Sequence, residues 1–237
     1  MDHGEGACSR EPGIPSWRKQ RRRFRTSQAR GDDNKGEVVM DVEISETREV
    51  YRGFFRLFKI FLRYRRFDGR MSRTIALEAL ERGEGVAVIL YDPVQDCVGL
   101  VRQFRIGAHL RENKGWVLEL AAGSCQGAED VRAVALKEVR EETGWTPSVM
   151  EHVMTFYISP SGTTERIHLF LGIFDSRIPP SASGVPEEEE DIQTVCVSFS
   201  EVMAMMTRGE INAASVILGM QWLQLHRSEL RQRFVDG

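Results

Sequence analysis

The stretch "GSCQGAEDVRAVALKEVREETGW", Gly123 to Trp145, decides how the rest of the chain is read. Its apolar residues Val131, Val134, Ala135 and Val139 fall at i, i+3, i+4 and i+8, one face of an amphipathic helix that docks on a sheet. Gly144 stands where a helix closes in the left-handed region, and Pro147 prevents its continuation. On another face Glu138, Glu141 and Glu142 share one turn, with Glu129 upstream. Like charges at i and i+4 repel by roughly a few tenths of a kcal/mol per pair, so a purely structural helix has no reason to choose this arrangement. The pattern predicts a bound cation. Carboxylates at 138 and 142 project from one side of the helix, with 141 beside them. Mg²⁺ suits them, because it takes octahedral oxygen coordination, keeps waters and bridges a few carboxylates to substrate phosphates. The Gly-containing loop 123–128 brings backbone groups next to the helix, so the carbonyl of Ala122 completes the expected ligand set. Such a site fits a pyrophosphate.

Outward from this segment the patterning is strand-like on both sides. "GVAVILYD" and "CVGLVRQFR" read as strands joined by the turn "DPVQD", and "GWVLELAAG" reads as one short strand running into the helix loop. Beyond the helix come strand-like "VMTFYIS", the loop "PSGTTER", and strand-like "IHLFLGIF". The polar loop "PPSASGVPEEEED" precedes the strand "IQTVCVSF", and the chain ends in the helices "SEVMAMMTRG" and "NAASVILGMQWLQLHRSELRQRF". Strands flanking one loop–helix unit, with helices packed on the sheet, predict an α/β sandwich over residues 81–237. Before it, "VYRGFFRLFKIFLRYRRF" alternates apolar and basic residues, and "FDGRMS" supplies a hairpin turn at Asp68-Gly69. Residues 40–80 therefore read as a small β subdomain. No internal repeat is present.

Composition narrows the function classes. The chain has 237 residues, 41% hydrophobic and 28% charged, which suits a globular enzyme or binding domain. No apolar run approaches the roughly 18 residues that span a bilayer, and no secretory h-region is evident, so a cytoplasmic protein without a membrane partner is expected. Cys8, Cys97, Cys125 and Cys196 show no CxxC spacing and are read as free thiols rather than a zinc site or disulfide framework. "RKQRRRFR" concentrates positive charge near the start of the chain, against a net charge of −3. Residues 1–39 are rich in Gly, Ser, Asp and Arg and lack apolar periodicity, so a solvated, disordered tail is favoured over a nucleic-acid contact. Patterned sequence begins at Met40, which could itself be the start.

Gly123, Glu129, Glu138, Val139, Glu141, Glu142 and Gly144 match the Nudix box, G-x5-E-x7-R-E-U-x-E-E-x-G-U, with U a bulky aliphatic. Its six fixed Gly and Glu positions would coincide at a given start about once in ten million. Two positions depart from it. Lys137 replaces Arg, keeping a charge that can pair with the glutamates while losing the bidentate fork, and Trp145 replaces an aliphatic, which is read as a packing change.

The resemblance extends to "YRGFF", "FDGRMS", "YDPVQDCVGLVRQFRIGA", "SPSGTTER" and "NAASVILGMQWLQLH", and is to the ADP-ribose pyrophosphatase branch of bacterial Nudix hydrolases. It implies a Nudix-type α/β/α sandwich with an N-terminal β subdomain exchanged between the chains of a homodimer, where it completes the partner's adenine pocket. Carried over by position, Phe54 stacks on adenine, Arg105 holds the phosphate end, and Ser159 contacts substrate. The metal, Mg²⁺ or Mn²⁺, falls to Ala122, Glu138, Glu141 and Glu142. The acidic loop Glu187 to Glu190 is by composition a solvated loop. In the resembling branch it closes over substrate and supplies the base, a role that falls most naturally on Glu188, with Glu190 in reserve and Glu165 of "TTER" a further catalytic candidate. Leu77 stands where the branch can carry another substrate-contacting Arg.

The expected activity is Mg²⁺-dependent hydrolysis of ADP-ribose to AMP and ribose 5-phosphate. A GDP-sugar such as GDP-mannose is the nearest alternative, since a Pro after the box occurs in that branch as well. A non-catalytic nucleotide-sugar sensor is the alternative of another class, and the intact glutamate set argues against it.

Overall fold

In a computed structural model the protein is described at residues 23–24, 40–125, 130–182, 184 and 191–235. The chain divides into two units, one of Met1–Arg82 with Ser161–Thr164, the other of Gly83–Pro160 with Glu165–Gly237.

The first unit is an antiparallel sheet of β1 (Arg23–Phe24), β2 (Met40–Arg52), β3 (Arg56–Tyr64) and β4 (Ile75–Glu81), in that order. The alternating "RLFKIFLRY" makes β3 the central strand of its long stretch, with Lys59 opposite Arg48 and Glu78. Phe58 is fully buried beneath the Arg56 guanidinium, 4.9 Å from its ring, and Arg56 is in turn held by Glu49 at 2.6 Å. The turn foreseen at Asp68-Gly69 is present. Gly69 has φ 82°, its N–H donates to the Arg66 carbonyl, and the Asp68 carboxylate accepts the N–H of Arg70. Part of the loop "PSGTTER" fastens to β4, with Leu80 N donating to Gly162 O at 2.8 Å and Thr164 N to Leu80 O at 3.0 Å.

The second unit is built on a seven-stranded mixed sheet. Its path runs β11 (Gln193–Ser198), β6 (Cys97–Phe104), β5 (Glu84–Asp92), β10 (Arg166–Ile173), β9 (Val149–Tyr157). β7 (Trp116–Glu119) adds to β6 and β8 (Ala121–Cys125) to β5. Only β5 and β10 run parallel among these pairs. "VAVILY" in β5 is a continuous apolar run because the strand is covered on both faces. On one face α3 (Phe199–Thr207) and α4 (Ala214–Val235) pack over Ile89, Tyr91, Leu100, Leu120 and Leu171, with Val216, Met220 and Leu223 buried from α4. On the other, α2 (Val131–Thr143) sets Val134, Ala135 and Val139 against Val86, Val88, Leu90 and Phe170. Helices on both faces of a sheet give the expected α/β/α sandwich.

The β5–β6 turn is fastened to α4 by Asp96, a left-handed residue at φ 54°. Its carboxylate accepts from the Tyr91 hydroxyl at 2.8 Å and from Arg227 Nε at 2.6 Å, and the Arg227 bond holds its pKa below the usual carboxylate range.

Two expectations need correcting. "GWVLELAAG" is two strands, because β7 pairs with β6 and the chain changes partner at Leu120 before β8 pairs with β5. An unforeseen helix, α1 (Ile106–Glu112), follows β6 and is closed by Asn113 at φ 55°. It buries no residue, so it carries no apolar periodicity to read. Among the described residues no helix is long and apolar enough to cross a membrane, and Cys97, Cys125 and Cys196 are in no disulfide. Apart from 23–24, the expected tail at 1–39 lies outside the described residues, as does Cys8.

Candidate active site

The core packing of α2 decides where its carboxylates point. Asp130 caps the helix, its side chain accepting the N–H of Arg132 at 3.0 Å. Gly144 at φ 75° ends it with an N–H bond to the Arg140 carbonyl. With Val134, Ala135 and Val139 held in the core, the same side of α2 that meets β8 carries Glu138 and Glu142, one turn apart. Glu142 is 3% exposed, and its Oε2 accepts the backbone N–H of Ala122 at 3.0 Å. Glu138 lies against Gly123, where a β-carbon would occupy the space of its carboxyl group. The structure thus brings Ala122, Gly123, Glu138 and Glu142 together.

Glu141 is turned to the rim, 2.8 Å from Lys137 Nζ, which also stands 3.7 Å from Glu138 Oε1. The hydrogen bond to Glu141, reinforced by the charge of Glu138, raises the Lys137 pKa. Lysine in place of the box arginine therefore does pair with the neighbouring glutamates. Trp145 is a packing element, 3% exposed, 4.4 Å from the Phe174 ring centroid, with its Nε1 donating to the Ile178 carbonyl at 2.8 Å.

The donor chemistry fits a hard divalent cation. Two carboxylates lie one turn apart, one of them buried and oriented by a strand N–H, and a glycine leaves room for the other. Mg²⁺ is commonly held by one or two carboxylates, with waters and substrate phosphates supplying the rest. Among the described residues no three His, Cys, Asp or Glu side chains converge as a metal cage.

The other candidates sit on other elements or outside the described residues. Arg105 immediately precedes α1, and its Nε donates to Glu119 Oε2 at 2.6 Å across β6 and β7. Ser159 is exposed and Glu165 half-buried, and they flank the 161–164 segment that belongs to the first unit. Phe54 belongs to the first unit as well, in the β2–β3 turn, 95% exposed and edge-on to Phe55 at 4.9 Å. Leu77 is half-exposed on β4. Glu129, Glu188 and Glu190 lie outside the described residues.

Sequence reading missed two supporting side chains. The Thr194 hydroxyl on β11 donates to the Glu142 carbonyl at 3.0 Å, and Glu119 holds Arg105. Thr194 is 52 positions from its partner, a pairing that only the sheet order reveals.

A family model described as NUDIX domain matches residues 81–218, and the chain belongs to the Nudix family. Within it the resemblance to the ADP-ribose pyrophosphatase branch is borne out. The chain is 39% identical over 195 residues to an ADP-ribose pyrophosphatase of Haemophilus influenzae, covering 81% of this chain and 90% of that one. It is also 34% identical over 189 residues to a GDP-mannose pyrophosphatase of Cronobacter sakazakii, covering 79% and 97%. A crystal structure of an ADP compounds hydrolase matches with a TM-score of 0.59 at 18% identity, over 77% of this chain and 94% of that one, and shares the fold.

Proposed function

We propose that this protein is a Mg²⁺-dependent pyrophosphatase that hydrolyses ADP-ribose to AMP and ribose 5-phosphate. The observation that carries the reading is the pair Glu138 and Glu142 over β8, in a chain 39% identical to an ADP-ribose pyrophosphatase over 81% of its length. Glu138, Glu142 and the Ala122 carbonyl hold Mg²⁺, or Mn²⁺ in its place, with Glu141 at the rim. The cation, when bound, offsets negative charge developing on the pyrophosphate oxygens. Glu142 is set for this by Ala122 N–H, and Glu138 by the space at Gly123. The Arg105 guanidinium, already oriented by Glu119, takes the phosphate end of the substrate. Glu188 removes the proton of the attacking water, with Glu190 and Glu165 as further carboxylates of the site.

A panel of nucleoside diphosphate sugars tests the substrate. ADP-ribose should give the highest kcat/KM, by about tenfold or more over GDP-mannose. A preference for GDP-mannose would transfer the assignment to the chemistry named for the Cronobacter relative. Tight binding of ADP-ribose without turnover would make the protein a sensor. For the base, Glu188→Gln should cut kcat about 10²-fold while KM changes little. If Glu190→Gln is the crippled variant instead, the role moves two residues along the loop.

The proposal extends to a homodimer in which the first unit of one chain completes the adenine site of the other. Its support is the apolar surface of that unit, where Phe54 and Phe67 are more than nine-tenths exposed and Tyr51, Tyr64 and Leu77 are exposed too. Mixing Phe54→Ala with Glu142→Gln, each inactive alone, should restore part of the activity. Absence of rescue with proven subunit mixing, or a monomeric mass by light scattering, contradicts the exchange.

A further inference from the structure

β6 and β11 carry two cysteines that the hydrolytic site does not use. Cys97 opens β6 and is 8% exposed, whereas Cys196 lies on β11 and is exposed. The strands run antiparallel with Ser198 opposite Cys97 and Cys196 opposite Gly99, so the cysteines are diagonal neighbours on one face of the sheet. Their sulfurs lie 2.8 Å apart, and a disulfide needs about 2.0 Å, so bond formation requires a further approach of less than about 1 Å between the sulfurs. The Cys196 thiol donates its hydrogen bond to Cys97 Sγ. That bond, with help from the Ser176 hydroxyl and against the effect of burial, lowers the Cys97 pKa, while the same bond and burial push Cys196 up. The hydrogen bond from Cys196 casts Cys97 as the attacking sulfur and Cys196 as the resolving thiol beside it.

We infer that Cys97 and Cys196 form a redox modification site, closing to an intramolecular disulfide when the protein meets a hydroperoxide and reopening with a thiol reductant. The Cys97 thiolate attacks one peroxide oxygen, forming an S–O bond and breaking O–O. The departing hydroxide takes up the proton shed by Cys97 and leaves as water. Cys196 sulfur then displaces hydroxide from the Cys97 sulfenic acid, forming S–S and breaking S–O, and its own proton completes a second water. Two thiols lose two electrons and two protons, and one hydrogen peroxide becomes two waters.

The location gives the bond a consequence. β11 is an end strand of the sheet, held laterally by β6. Thr194, two residues before Cys196, bonds the carbonyl of Glu142. Closure joins positions 99 apart in the chain and pins the strand that supports the end of α2. Two thiols held within reach of a disulfide are the arrangement a redox-sensing pair requires.

Treat the full-length reduced protein with hydrogen peroxide at about one to ten equivalents, quench, and map peptides by mass spectrometry without reduction. The expected product is a Cys97–Cys196 linked peptide, two fewer of the chain's four titratable thiols, and full reversal by dithiothreitol. The melting temperature of the oxidised form should rise by roughly 5–10 °C, because the closed loop is long. Cys196→Ser, at an exposed position, should abolish the linked peptide, and so should Cys97→Ser. Retention of all four thiols would overturn the inference. So would a disulfide between chains, or oxidation of Cys196 with Cys97 left reduced and unlinked.

Discussion

Replacing Glu142 by Gln should lower kcat on ADP-ribose by at least about 10²-fold and leave the fold in place. The structure separates the two effects. Glu142 is almost wholly buried, and its Oε2 accepts the Ala122 N–H, a bond that the amide oxygen of Gln can also accept. The side-chain volume and this hydrogen bond are conserved, so the melting temperature should stay within about 2 °C. What disappears is one unit of negative charge at the position proposed to hold Mg²⁺. Glu142→Ala is the less informative change, because it leaves the Ala122 N–H without its partner and empties a buried site. The companion experiment is metal removal: excess EDTA should abolish turnover, and Mg²⁺ or Mn²⁺ should restore it. Near-normal kcat in Glu142→Gln, or turnover that survives EDTA, would refute the metal assignment.

The parts of this molecule that could be read from sequence are those governed by short-range rules. The α2 helix was legible because Val134, Ala135 and Val139 repeat at helical spacing and Gly144 ends the pattern, and these are the residues found in the core and at φ 75°. The glutamate cluster was legible because its like charges have no structural reason. The β2–β3–β4 sheet followed from alternation and from Asp68-Gly69. The division at Leu120 was not legible, since "WVLELAA" is equally apolar before and after the change of partner. α1 escaped because none of its residues is buried. Long-range partners were invisible for a different reason: Thr194 reaches Glu142, and Glu119 reaches Arg105, through strand pairings whose order no local pattern specifies. Cys97 and Cys196 belong to the same class. Their separation in sequence argues against a disulfide framework, and their adjacency arises only from the β6–β11 register.

Gly123 joins the two kinds of information, and it yields a sharp second expectation. In sequence it is the first fixed position of the box. In the structure it is a strand residue opposite Val86, outside the left-handed region, so alanine is sterically acceptable to its backbone. The obstacle to a side chain is the Glu138 carboxyl group, which occupies the space a β-carbon would take. Gly123→Ala must therefore displace the end of a flexible glutamate, a movement that costs the fold little but moves one of the two carboxylates proposed for the cation. Activity should fall about 10- to 100-fold, the Mg²⁺ concentration giving half-maximal rate should rise, and the melting temperature should change by no more than about 2 °C. A double-mutant cycle tests the route. Once Glu138 is Ala, the side-chain atoms nearest to the added methyl at 123 are gone, so Gly123→Ala should cause little further loss. Full activity in Gly123→Ala, or an undiminished loss in the Glu138→Ala background, would show that this glycine serves something other than the placement of Glu138.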